Sequence, residues 1–186
     1  MLHAITKSFY ITVIFLVVVC VCASFSFAAE KSEEKQREEE NELRRALANV
    51  GSNFSWQVEA SAFFFENMGE EGAAHLIALL KNNRDDRRIK QNSIYLLGRM
   101  GKDAEIAVPA IIPCIRDEDD DTKIAAARAL GRIGMDSPEV IYMLSTLENN
   151  KNEWVRENAY RALKNIGTKK ALRAAKIFKA NTKNKK

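Results

Sequence analysis

Proline and glycine are scarce, with three prolines and eight glycines among 186 residues. That excludes a collagen-like chain or a long flexible linker, and a 46% share of hydrophobic residues is too high for a disordered one. Histidine is scarcer still. The chain has two, and loss of the N-terminal segment carrying His3 would leave only His75, too few for a histidine-based metal centre or a histidine-assisted nucleophile. No glycine-rich phosphate loop occurs. The acidic run Asp117–Asp121 has Thr122 where a calcium loop needs glycine and Arg128 where it needs glutamate, so it reads as a solvated acidic turn. No cofactor, metal or catalytic residue is implied.

Charge is missing altogether from one stretch, since no Lys, Arg, Asp or Glu lies between Lys7 and Glu30. Residues Ile11 to Ala23 are almost wholly apolar, and Ser26-Phe27-Ala28 offers the small residues that a signal peptidase inspects, which predicts a signal peptide over 1–28 and a periplasmic or secreted protein. The competing reading is a membrane-tethered module, because the 22 uncharged residues from Ser8 to Ala29 just suffice to cross a hydrocarbon core of about 30 Å. Neither Cys20 nor Cys22 follows a small residue, which disfavours a lipoprotein cut. Cleavage would leave Cys114 as the remaining cysteine, without an intramolecular disulfide partner. Its neighbours Ile111, Ile112, Pro113 and Ile115 mark it as a small buried hydrophobe.

The rest of the chain repeats. Leu97-Gly98-Arg99-Met100-Gly101 returns 33 residues on as Leu130-Gly131-Arg132-Ile133-Gly134, and after another 33 as Leu163-Lys164-Asn165-Ile166-Gly167. A degenerate copy, Phe65 to Gly69, lies 32 residues before the first. Counted from twelve residues before each closing glycine, offsets 0, 4, 7, 8 and 11 hold Ile89, Ser93, Leu96, Leu97 and Met100, then Thr122, Ala126, Ala129, Leu130 and Ile133, then Val155, Ala159, Ala162, Leu163 and Ile166. Those offsets trace one stripe of an α-helix. Each such helix follows another apolar one, over Ala73–Lys81, Val108–Arg116 and Pro138–Glu148, the last opened by Ser137 as N-cap and Pro138 at the first position. The unit is a helical hairpin, which buries its apolar face only by stacking on neighbours.

These residues resemble the HEAT repeat family, in particular the HEAT-like variety of phycobilisome lyases. The likeness is carried by Ala107-Val108-Pro109-Ala110-Ile111-Ile112, the turn Asp117-Glu118-Asp119, the run Ala125 to Gly134, and Val155-Arg156 opening a second helix; Ile89-Lys90 and Thr122-Lys123 depart from that Val-Arg pair. The resemblance implies an all-α fold, an α-α superhelix of about four helical hairpins with a C-terminal capping helix. Residues 29–69 would form an acidic N-terminal helix and a degenerate first repeat, 70–167 three HEAT-like repeats, and 168–186 a basic capping helix and tail. At the front, Leu43, Ala46, Leu47 and Val50 would pair with a helix holding Phe63, Phe64 and Phe65, whose three rings need cover on several sides. At the back, Leu172, Ala175 and Phe178 would close the core. Such arrays serve chiefly as binding surfaces, and a few are enzymes.

Outward positions suggest where a partner would bind. Offset six holds Tyr95, Arg128 and Arg161, and offset ten holds Arg99, Arg132 and Asn165. Four residues apart, they share a helix face, so stacked repeats would align them into a basic ladder on the concave side. Trp154, just before the stripe, is a candidate anchor because Trp and Arg recur among binding hot spots. The competing reading is that the arginines pair with carboxylates of adjacent units. The tail from Thr168 carries eight Lys or Arg and no acid, which leaves open a weak contact with a membrane surface. The leading function is an exported, non-catalytic scaffold for an acidic or extended protein partner, with no nucleic acid expected. The alternatives are an enzyme or enzyme subunit of the HEAT-like lyase type and the tethered module. Intact mass spectrometry of the exported protein should show a chain beginning at Ala29; one beginning at Met1 would establish the anchor.

Overall fold

The computed structural model describes residues 31–183, so the apolar segment, the cleavage site after Ala28, Cys20, Cys22 and residues 184–186 lie outside the described residues. The chain divides into two compact units, Met1–Arg45 and Ala46–Lys186. A helix, α1, spans residues 31–50. Its part in the first unit, 31–45, is a charged helical stretch in which Lys35 pairs with Glu39 at 3.6 Å and Arg44 with Glu40 at 2.7 Å, each one turn apart.

The second unit is all helical among the described residues: α2 (Ser55–Met68), α3 (Glu70–Asn82), α4 (Arg87–Met100), α5 (Val108–Ile111), α6 (Asp120–Ile133), α7 (Pro138–Thr146), α8 (Glu153–Ile166) and α9 (Lys169–Lys183). The second helices α4, α6 and α8 stack directly on one another, each preceded by the first helix of its own hairpin. The 33-residue register decides which side chains meet. Ser93, Leu96, Leu97 and Met100 on α4, all five stripe residues on α6 and all five on α8 are buried; Ile89 alone stays half-buried.

Four local expectations need correction. The first helix of the central repeat is not a regular α-helix over Val108–Arg116 but a four-residue α-turn, α5, between 3-10 segments Gly101–Ala107 and Ile112–Arg116. Pro109 and Pro113 remove two amide donors four residues apart, and the ring of Pro113 crowds the carbonyl one turn back, so the chain tightens. Of the three phenylalanines on α2 only Phe65 is buried; Phe64 is half-buried in an edge-to-face contact with it, and Phe63 is 70% exposed. On α9 it is Ala171, with Ala175 and Phe178, that closes the core, while Leu172 faces out. The hydroxyl of Thr168 caps that helix at the Ala171 amide, 3.2 Å away. Finally, the acidic run Asp117–Asp121 is not merely solvated.

That run ties three repeats together. Asp119 caps α6, accepting the Thr122 amide at 2.9 Å and the Thr122 hydroxyl at 2.6 Å, which satisfies the one polar side chain in the α6 stripe. From α4, Gln91 donates to Asp119 at 2.7 Å, Arg87 reaches Asp119 and Asp121 at 2.7 Å each, and Lys90 reaches Asp117 at 2.7 Å. On the other side, Asn152, the N-cap of α8, donates to Asp120 at 2.9 Å. Burial pushes the carboxyls of Asp117 and Asp119 up, but the hydrogen bonds from Lys90 and Thr122 outweigh it and hold both below the usual range; Lys123 and Asn152 do the same for Asp120.

The stack is also unusually close. A Cβ on Gly98 would lie 2.7 Å from Ala129 Cα, and one on Gly131 would lie 2.6 Å from Ala162 Cα. The third copy carries Lys164 at this position because α8 is the last of the stacked second helices, and its side chain is exposed. Gly101 and Gly134 serve differently: at φ of 59° and 75° they turn the chain out of α4 and α6 through a region costly for other residues.

Urea melts should therefore separate the copies. Gly98→Ala and Gly131→Ala should each destabilise by about 1–2 kcal/mol, since the steric cost exceeds the helix-propensity gain of roughly 1 kcal/mol, while Lys164→Ala should stay within about 0.5 kcal/mol. The depressed carboxyls predict an acid edge. Their contribution is present above about pH 4, the ordinary unfolded value, and is lost as pH falls through the lower folded values. Asp117→Asn should cost about 1–2 kcal/mol at pH 7, and the gap to the unaltered protein should shrink in melts run progressively below pH 4.

Candidate functional site

The outward faces of α4, α6 and α8 carry the residues singled out by sequence, and the structure divides them. At the α4 end, Arg99 pairs with Glu59 and, at 3.0 Å, with Glu66, both on α2, and the Tyr95 hydroxyl donates to Glu59. The guanidinium is held above its ordinary value, first by hydrogen bonding at the Tyr95 oxygen, against a desolvation penalty, and then by Glu66 and Glu59. Its charge is spent on α2. The expected continuous basic ladder is thus interrupted at α4, where the alternative of pairing with a neighbouring unit holds.

Between α6 and α8 the ladder survives. A groove of about 600 Å³ is lined by Arg128 and Arg132 from α6 and by Trp154 and Arg161 from α8, with Ile124 and Asn158 on its walls. Two acids also line it, and both are engaged: Glu157 accepts from Arg161 at 2.7 Å, and Asp121 belongs to Arg87 of α4. Arg132 lies 5.9 Å from the centre of the Tyr95 ring, a cation–π contact that fixes it over the α4–α6 seam. Neither Arg128 nor Arg132 meets a carboxylate among the described residues. Trp154 is 72% exposed; its amide is held by the Asn152 cap at 2.9 Å, which sets the start of α8 and with it the ring's place at the groove mouth.

The groove offers two guanidiniums without a carboxylate partner and an indole, a set suited to carboxylates next to an apolar or aromatic group. It has no nucleophile paired with a base. A second cavity, about 320 Å³, lies in the layer of first helices between α3 and the central 3-10 segments, with Ile77, Leu80, Pro109 and Pro113 around Cys114. Burial first, then Asp117, raises the Cys114 thiol above its ordinary value, which keeps it protonated and unreactive.

The family model for HEAT repeats matches residues 73–163 and 108–179, together more than half of the chain. The chain belongs to the HEAT-repeat family. Comparison with curated proteins gives no match. HEAT repeats generally serve as protein-interaction scaffolds, and in this HEAT array the family match covers α3 to α9, including every second helix that lines the groove.

Sequence reasoning misses two residues of this face, Trp56 and Phe63 on α2, which are 67% and 70% exposed. The signal was the register itself. Carried one copy back from α4, the position of Trp154 falls on Trp56 and that of Arg128 on Phe63. It also misses Glu59 and Glu66, since which carboxylate reaches an arginine depends on the crossing of α2 over α4.

Proposed function

We propose that this protein is an exported, non-catalytic HEAT-repeat scaffold that holds an acidic, extended segment of a protein partner in the α6–α8 groove. The observation that carries the reading is the pair Arg128 and Arg132, two guanidiniums without a carboxylate partner among the described residues, set beside the exposed ring of Trp154. Two guanidiniums without a carboxylate partner beside an exposed indole are complementary to an acidic segment that carries an apolar group, and Arg and Trp recur at binding hot spots. The close stacking of second helices at Gly98 and Gly131 supports placing this face on the concave side, because the layer whose helices approach more closely lies inside the curve of a solenoid. Export rests on the charge-free segment before Glu30 and on Ser26-Phe27-Ala28. The basic outer face of α9, with Lys169, Lys170, Arg173 and Lys176 exposed, is a candidate for weak contact with an anionic membrane surface.

Charge reversal tests the groove. Arg128→Glu with Arg132→Glu should reduce binding of an oligoglutamate peptide at least tenfold in fluorescence anisotropy at low salt, with an unchanged circular dichroism spectrum, because neither side chain is buried. Arg99→Glu, whose native charge is already matched on α2, should reduce it far less. Equal effects of the two changes would return the face to a solvated surface.

A further inference from the structure

The second-helix face does not end at the groove. Aligned by the repeat, position six holds Phe63, Tyr95, Arg128 and Arg161 from α2 to α8, and the position before the stripe holds Trp56, Arg88, Asp121 and Trp154. Its chemistry changes along the array. On α2 the exposed rings are those of Trp56 and Phe63, seven residues and about 10 Å apart on one side of the helix. The two acids near them share one cation, Arg99, which pairs with both Glu59 and Glu66, while Glu59 also accepts from the Tyr95 hydroxyl; one carboxylate charge is left over at this end. On α6 and α8 the uncompensated groups are Arg128 and Arg132. Between the two ends Glu59 touches Tyr95, and Tyr95 carries Arg132 on its ring, so one continuous surface joins an aromatic end to a cationic one.

Building on the α6–α8 reading, we propose that the partner is a single extended peptide segment with two separate anchors: an acidic cluster on Arg128 and Arg132 beside Trp154, and an aromatic or long aliphatic side chain against Trp56 and Phe63. Helix spacings of about 8–10 Å place Phe63 roughly 16–20 Å from Arg128. An extended chain covers that distance in about five or six residues at about 3.3 Å each. The hydrophobic anchor contributes burial, and the acidic one sets polarity and association rate. An anionic membrane fits this face less well than a peptide. Carboxylates border the face at both ends, Glu59 and Glu66 near Trp56 and Phe63 and Asp121 and Glu157 at the basic end, whereas an anionic lipid surface attracts cations and interfacial rings and repels acids.

Selection of random 12-residue peptides on phage against the full chain in mild detergent, followed by anisotropy with the enriched peptides, tests this. The expected sequences carry two or more Asp or Glu, with Trp, Phe or Leu five or six residues away. Trp56→Ala with Phe63→Ala should weaken such a peptide about tenfold and leave its version lacking the apolar residue unaffected, whereas Arg128→Glu with Arg132→Glu should weaken both versions. Enriched acidic peptides indifferent to the aromatic pair would overturn the two-anchor proposal and leave the acidic-segment reading standing. Enrichment of peptides without acids, or no enrichment, would overturn both. Vesicles containing phosphatidylserine that bind through Trp56 and Phe63 and are not displaced by the selected peptides would overturn the proposal in favour of a membrane.

Discussion

Everything in this molecule depends on how closely one second helix can approach the next. At Gly98 against Ala129, and again at Gly131 against Ala162, there is no room for a Cβ. Dispersion falls off steeply with separation, so contact at this distance turns a row of small side chains into a well-packed seam. The stripe then needs few large residues, and α6 fills its inner face with Ala126, Ala129, Leu130 and Ile133 around a satisfied Thr122. Ser93 is the exception, a buried hydroxyl on α4 without a hydrogen-bond partner where the next two copies have Ala126 and Ala159.

Close stacking fixes the edges as well as the seam. Because α4, α6 and α8 start at matched heights, the carboxylates at the start of α6 reach basic and amide groups of both neighbours, and four acids of a run that looks redundant in the sequence take distinct positions. Asp119 is at once a helix cap and an inter-repeat acceptor, and Asp117 holds Lys90 in a half-buried pair. Such partly shielded, hydrogen-bonded pairs contribute more than exposed ones, which is why they also bend the titration of these groups downward.

The same geometry leaves the outward face free to vary. Position six carries Phe63, Tyr95, Arg128 and Arg161 in turn without disturbing a single core contact. A solenoid thus separates the side chains that hold the repeats together from those that meet a partner, and the α6–α8 groove with its flanking aromatics is where this chain departs most from a self-satisfied surface.

The sequence by itself determined the period, the helix type, the buried stripe and the face opposite it. These follow from a helical repeat of 3.6 residues and from the recurrence of glycine at each hairpin's end, both of which are local properties. It also placed Arg128, Arg132, Trp154 and Arg161 on that face. It could not tell Arg99 from Arg132, which hold the same position in neighbouring copies. Only the tertiary structure decided that Arg99 lies opposite Glu59 and Glu66 of α2 while Arg132 lies over the ring of Tyr95. The exposure of Phe63 beside buried Phe65, the choice of Ala171 over Leu172 for the core, and the tightening of the central first helix were settled the same way. Each depends on the angle and distance at which two helices cross, and those are set by the summed packing of both partners, a quantity that no single segment of sequence contains.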